Sequence, residues 1–209
     1  MELKEIEQIW NHCYVTDEYF SEETFKVFCS LCDKAKYILW EEITKPNKYF
    51  IQCYGLDEIL TELTPIEQIL YLALKIFNYN ICEDFPIVFD FSAQTHLSVL
   101  KNSYRVDFLI SNMIICNTEY KCEKRIIIEC DGYDSHHTKC QRNHDIEREN
   151  NLKMAGYSII RFSGTQIFNN PYDCVMRAFK FLLDENREVI KQAREDYNIN
   201  KKNEGNTNG

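Results

Sequence analysis

The segment "RIIIECDGYDSHHTK", residues 125–139, ends a run of three isoleucines on two carboxylates and then brings two adjacent histidines, His136 and His137. Ile126, Ile127 and Ile128 suit a buried strand, and side chains alternate along a strand, so Glu129 and Asp131 share one face. Carboxylates are rarely buried unless they are paired or bound to a metal. A second stretch, "YRVDFLI", repeats the puzzle: Asp107 shares a face with Arg105 and Leu109, away from Val106. If the two strands pair, Asp107, Glu129 and Asp131 converge. Like charges about 4 Å apart repel by roughly 4 kcal/mol at an effective dielectric of 20, so such a cluster calls for a divalent cation or a proton. Mg²⁺ fits that demand, because it takes one or two carboxylates and completes its shell with water and substrate phosphate. Blander readings stand beside this one. Asp131-Gly132 suits a turn after a strand, Asp107 could pair with Arg105, and Glu67 could be the capping-box partner of Thr64.

The elements that must position these residues follow from periodicity. Residues 3–13 and 21–43 read as helices, the second from Phe25, Phe28, Leu31, Cys32, Ala35, Ile38 and Leu39. "KYFIQCYG" reads as a short strand. "LTPIEQILYLALKIF" opens a helix with Thr64 as N-cap and Pro65 in its first turn. Strand-like stretches follow in "FPIVFDFS", "THLSVL", "YRVDFLI" and "KRIIIECD". A polar helix over "TKCQRNHDIERENNLKMAG" stops at Gly156, "YSIIRFS" is another strand, and a long helix covers residues 171–197. The polar tail from residue 198 is expected to be disordered. From Thr64 onward this order predicts a mixed sheet covered by helices, an α/β fold. Residues 1–60 form an acidic helical extension ahead of a core at residues 61–197.

The run from "TPIEQ" through "YRVDF" and "IIIECDGYDSHHTK" to "DIERENNLKMAGYSIIRFSGTQIFNNP" resembles the very-short-patch-repair-like branch of the PD-(D/E)xK nucleases. These share the restriction-endonuclease-like core, whose order is α-β-β-β-α-β. The resemblance implies a Mg²⁺- or Mn²⁺-dependent endonuclease acting on DNA, with RNA left open, and a place in defence or repair. By the same resemblance Asp107 and Glu129 hold the metal, the Cys130 carbonyl is an added ligand, and Glu67 matches a helix glutamate that joins the metal shell. The family pattern expects Lys where Asp131 stands. Relatives carrying the same E-x-D-G form have a following His, matched here by His136, and Lys139 is a second replacement for the absent cation. Asp145 and Arg148 match a D-x-x-R feature and suit an i,i+3 pair. Arg142, Arg148, Lys153 and Arg161 are candidate phosphate contacts, although a solvated helix face or a structural ion pair would look the same. The alternative is an inactive protein on this fold that binds nucleic acid or a partner subunit. His136, Cys140 and His144 also recur at helical spacing that zinc could use, without a telling fourth ligand.

Composition narrows the rest. The net charge of −9 excludes nucleic-acid binding by bulk charge, but residues 1–60 hold 12 Asp/Glu against 6 Lys/Arg, so most of the acid lies ahead of the core. The start "MELKEIEQIW" lacks the order of a signal peptide, and no apolar run is long enough to span a bilayer. The 10 cysteines then read as reduced thiols of a cytoplasmic protein. The acidic N-terminal helices suggest a protein partner or self-association.

Overall fold

The structure is a computed structural model that describes residues 22–44, 58–84, 87–115, 118–131 and 139–206. The helix expected at 3–13, the strand expected in "KYFIQCYG", and Gly132, His136 and His137 lie outside the described residues. Contacts divide the chain into two compact units, Met1–Ile76 and Phe77–Gly209.

In the first unit, α1 (Glu22–Ser30) and α2 (Asp33–Thr44) replace the single helix expected over 21–43. Between them the Cys32 N–H donates to Gln68 Oε1 at 3.1 Å. Gln68 is itself buried and donates to the carbonyls of Leu60 and Leu63 at 2.9 and 3.3 Å. A side-chain amide thus takes over a backbone bond, which apolar periodicity does not register. A 3₁₀ turn (Glu58–Glu62) leads to α3 (Pro65–Asp84), within which the division between units falls. The start of α3 is a capping box: the Thr64 N–H donates to Glu67 Oε2 at 2.7 Å, and the Glu67 N–H reaches Thr64 Oγ1 at 3.5 Å.

The second unit is built on a four-stranded sheet in the order β1-β2-β3-β4: β1 (Ile87–Val99), β2 (Asn102–Ile115), β3 (Thr118–Asp131) and β4 (Tyr157–Ser163). Residues 87–99 form one strand where the sequence suggests two. Leu100 and Lys101, both at positive φ, make a two-residue turn whose twist suits the β1–β2 hairpin. β2 runs antiparallel to β1 and β3, whereas β4 is parallel to β3, so a crossover is required and α4 (Lys139–Met154) supplies it. Leu152 of α4 is fully buried in a cluster with Leu97, Val99, Val106, Leu109, Ile127 and Tyr157. Gly156, at φ +84, follows α4 as the expected stop. Elsewhere in the unit, Phe77 and Phe89 pack on Phe179. This mixed sheet flanked by helices is the expected α/β architecture.

After β4 come α5 (Gly164–Asn169), α6 (Pro171–Glu185) and α7 (Arg187–Asn206). The helix expected at 171–197 is therefore broken at Asn186, and its second half runs to Asn206. Residues 198–206, read from the sequence as part of the tail, belong to this helix, where Lys201, Lys202 and Glu204 have favourable helix propensity. The break has a cause in the sheet. The β2–β3 register shifts between Ile110↔Ile126 and Asn112↔Lys121, leaving Cys122 to Arg125 opposite Ser111 alone. Asn186, fully buried, answers the Lys124 backbone: Oδ1 accepts its N–H at 3.0 Å and Nδ2 donates to its carbonyl at 3.3 Å. Nearby Cys122 is buried, and burial pushes its thiol up to about 11, as suits an unreactive core thiol. Among the described residues no helix is long and apolar enough to cross a membrane.

Candidate active site

The β2–β3 register that pairs Phe108 with Ile128 brings Asp107 and Glu129 opposite each other one step further along. Asp107 Oδ2 accepts the Cys130 N–H at 2.7 Å, which ties the carboxylate to β3. Glu129 is buried, with 8% of its surface exposed, and its Oε1 lies 2.5 Å from Arg148 Nη2. The same nitrogen donates to the Arg105 carbonyl at 3.0 Å. Arg148 comes from α4 and stands one turn before Leu152, whose burial seats the helix; residues four apart share a helix face. The helix interior is thus held by an apolar anchor on one turn and an ion pair on the next.

Beside this pair lies a chain of alternating charges. Arg161, opposite Glu129 in the parallel β3–β4 register, donates from Nη1 to Asp131 Oδ1 at 3.1 Å. Its Nη2 lies 3.8 Å from Glu149 Oε2, and Glu149 Oε1 accepts from Lys153 Nζ at 2.6 Å. The Lys153 hydrogen bond, helped by the charges of Lys153, Arg161 and Arg148, holds the Glu149 carboxyl below the usual range.

The structure thus brings together Asp107, Glu129, Cys130 and Arg148, with Asp131 and Arg161 alongside. Convergence of three carboxylates does not occur, because Arg161 draws Asp131 into its own ion pair. Among the described residues no three His, Cys, Asp or Glu side chains group as a metal cage. Arg148, Lys153 and Arg161, expected at phosphates, all bond carboxylates here, and Arg148 reaches across to Glu129. Glu67 belongs to the first unit, where its carboxylate caps α3. The side chains of Lys139, Cys140 and Arg142 lie outside the described residues, and His144 is exposed on α4. Gln94 falls opposite Asp107 between the pairs Ala93↔Phe108 and Thr95↔Val106.

The donor set suits a hard divalent cation: two carboxylates from adjacent strands are as many as Mg²⁺ commonly takes from protein, water and phosphate oxygens filling the remainder. Asp107 and Glu129 would hold such an ion, with Arg148 limiting the negative charge around it.

No curated protein and no solved structure matches the chain. A restriction-endonuclease-like family, REase_MTES_1575, matches residues 90–182, a stretch that runs from β1 into α6 and includes Asp107, Glu129 and Arg148. That match supports the restriction-endonuclease-like superfamily for this chain and suggests a nuclease.

Proposed function

We propose that this protein is a Mg²⁺- or Mn²⁺-dependent endonuclease that hydrolyses phosphodiester bonds, with DNA the first substrate to test. The observation that carries the reading is the meeting of Asp107 and Glu129 across β2 and β3, with Arg148 bonded to the buried Glu129. A bound divalent ion polarises the phosphoryl group and makes water a better nucleophile. Asp107 and Glu129 would hold such an ion, and the Cys130 carbonyl would add a neutral oxygen. His136 is the proposed acceptor of the proton of the attacking water, as an imidazole near neutral pH is suited to be, and Lys139 the proposed cation for the phosphate. The very-short-patch-repair-like branch, and a place in defence or repair, belong to this proposal. So does a role for residues 1–60 in binding a protein partner or a second copy.

The test is a cleavage assay on DNA and RNA with Mn²⁺, Mg²⁺ or chelator, beside Asp107→Asn and Glu129→Gln. Cleavage should require the metal, and each variant should abolish it while calorimetry shows weakened Mn²⁺ binding. Unchanged Mn²⁺ affinity in both variants would remove these residues from the metal site. One observation favours a second reading: Asp131 stands where the resemblance expects a lysine. A wild-type chain that binds nucleic acid and never cleaves it would make this a binding protein on a nuclease fold.

A further inference from the structure

Rings are left in water on the helices that follow β4. Among the described residues of the second unit, the exposed aromatic side chains are Phe168 and Tyr172, at 52% and 37%, and Met176 beside them is 54% exposed. α5 buries Ile167 and turns Phe168 to solvent. α6 buries Pro171, Cys174, Val175, Ala178, Phe179 and Leu182, which leaves Tyr172 and Met176, four apart, on its outer face. Lys180 continues that stripe by one more turn. It is exposed, and its side chain forms no ion pair among the described residues.

Two connections fix which end of the sheet the rings occupy. α5 follows β4 directly, and Ser163, the last residue of β4, pairs with Asp131 at the end of β3. At its far end α6 gives way to Asn186, which bonds Lys124 of β3. The 15 residues of α6 rise about 22 Å. The strand from Lys124 to Asp131 rises about 23 Å. Because α6 packs on β3, it runs back along that strand, and its first turn, with Tyr172, stands level with Asp131. The rings therefore sit at the carboxylate end. Exposed aromatic side chains suit the flat faces of bases, and stacking of this kind tolerates any sequence. A base offers its face only where it is released from the duplex stack. Charge favours the same ligand, since Arg148, Lys153 and Arg161 are engaged by carboxylates and leave few cations for phosphates.

We infer that Phe168 and Tyr172 stack on unpaired bases, with Lys180 at a phosphate of the same strand, so that the substrate class is single-stranded or locally unpaired nucleic acid in preference to intact duplex. This rests on the nuclease reading above. The test presents one DNA sequence as a single strand and as a duplex, with anisotropy in Ca²⁺ reading affinity and single-turnover cleavage in Mn²⁺ reading rate. Wild type should favour the single strand in both. Phe168→Ala and Tyr172→Leu should each weaken single-strand binding about tenfold, and Phe168→Trp should keep it. The loss should be equal at about 50 and 200 mM salt, because stacking releases no counterions, whereas Lys180→Gln should flatten the salt dependence. All of these side chains are exposed, so melting temperatures should stay within about 2 °C of wild type. Ring variants that bind the single strand like wild type overturn the inference, as do variants that lose affinity only together with melting temperature. Equal binding and cleavage of duplex and single strand by wild type overturns it too. So does self-association in sedimentation that the ring variants lose while keeping their affinity for the strand, which would give the stripe to a second copy. A wild-type chain that neither binds nor cleaves nucleic acid with Mn²⁺ defeats the nuclease reading itself, a result distinct from active wild type beside equally active variants.

Discussion

Glu129 is tolerable beneath α4 because Arg148 neutralises it there; their side chains are 11% and 20% exposed. Removing one partner of such a pair strands a charge, whereas removing both does not. Arg148→Gln is therefore expected to lower stability by about 2–4 kcal/mol, and adding Glu129→Gln should recover most of that loss. Mn²⁺ should raise the melting temperature of Arg148→Gln more than that of wild type, because the ion supplies the missing positive charge. Thermal melts of the four proteins across Mn²⁺ concentrations check both points; additive losses and equal metal shifts would show that the pair is uncoupled. At this scale the sequence revealed the acids and hid their partners. Asp107 and Glu129 announce themselves because charge interrupts an apolar strand period. The bond from Arg148 to Glu129 depends on how α4 docks on the sheet, which no spacing within the helix encodes.

The elements were legible where a local pattern and its stop signals agree, as in α3, α4 and β4, whereas β3 was read only from Lys124 although it starts at Thr118. They were misjudged where a side chain replaces a backbone partner. Gln68 divides α1 from α2, and Asn186 divides α6 from α7, because each buried amide answers main-chain groups that no helix or ladder satisfies. Asn186 also donates to the Leu182 carbonyl at 2.9 Å, so three hydrogen bonds converge on one side chain. Asn186→Ala should leave the Lys124 N–H and carbonyl unmet in the sheet and cost about 2–4 kcal/mol. Denaturant titration reads the loss, and amide exchange at Lys124 should accelerate beyond the change seen in β4. Protection at Lys124 that stays at the wild-type level would show that the bulge is satisfied by other means.

For the molecule as a whole, charge restrains how nucleic acid is held. On the nuclease reading, a chain of net charge −9, whose described site cations are engaged by carboxylates, would bind through few phosphates. Two or three contacts imply a loss of affinity of roughly 10- to 50-fold between 50 and 200 mM salt, whereas six or more would cost about 10³-fold. Fluorescence anisotropy across that range decides; the larger loss would mean a basic surface that the composition conceals. The boundary expected at 60/61 follows a shift in composition, whereas contacts divide the chain after Ile76, inside a helix whose residues 67–74 are buried all round. Composition marks where charge changes, and packing need not change at the same place. The parallel β3–α4–β4 crossover carries a consequence for the order of assembly. Glu129, Asp131, Arg148, Glu149, Lys153 and Arg161 all lie within that one supersecondary unit, while Asp107 and Gln94 arrive on the separate β1–β2 hairpin. Contacts close in sequence form early in folding. The antiparallel β2–β3 pairing, which begins at Ile115↔Thr118, closes over less chain than the parallel β3–β4 pairing, so Asp107 reaches Glu129 first and the crossover then delivers Arg148 to neutralise an acid pair already in place.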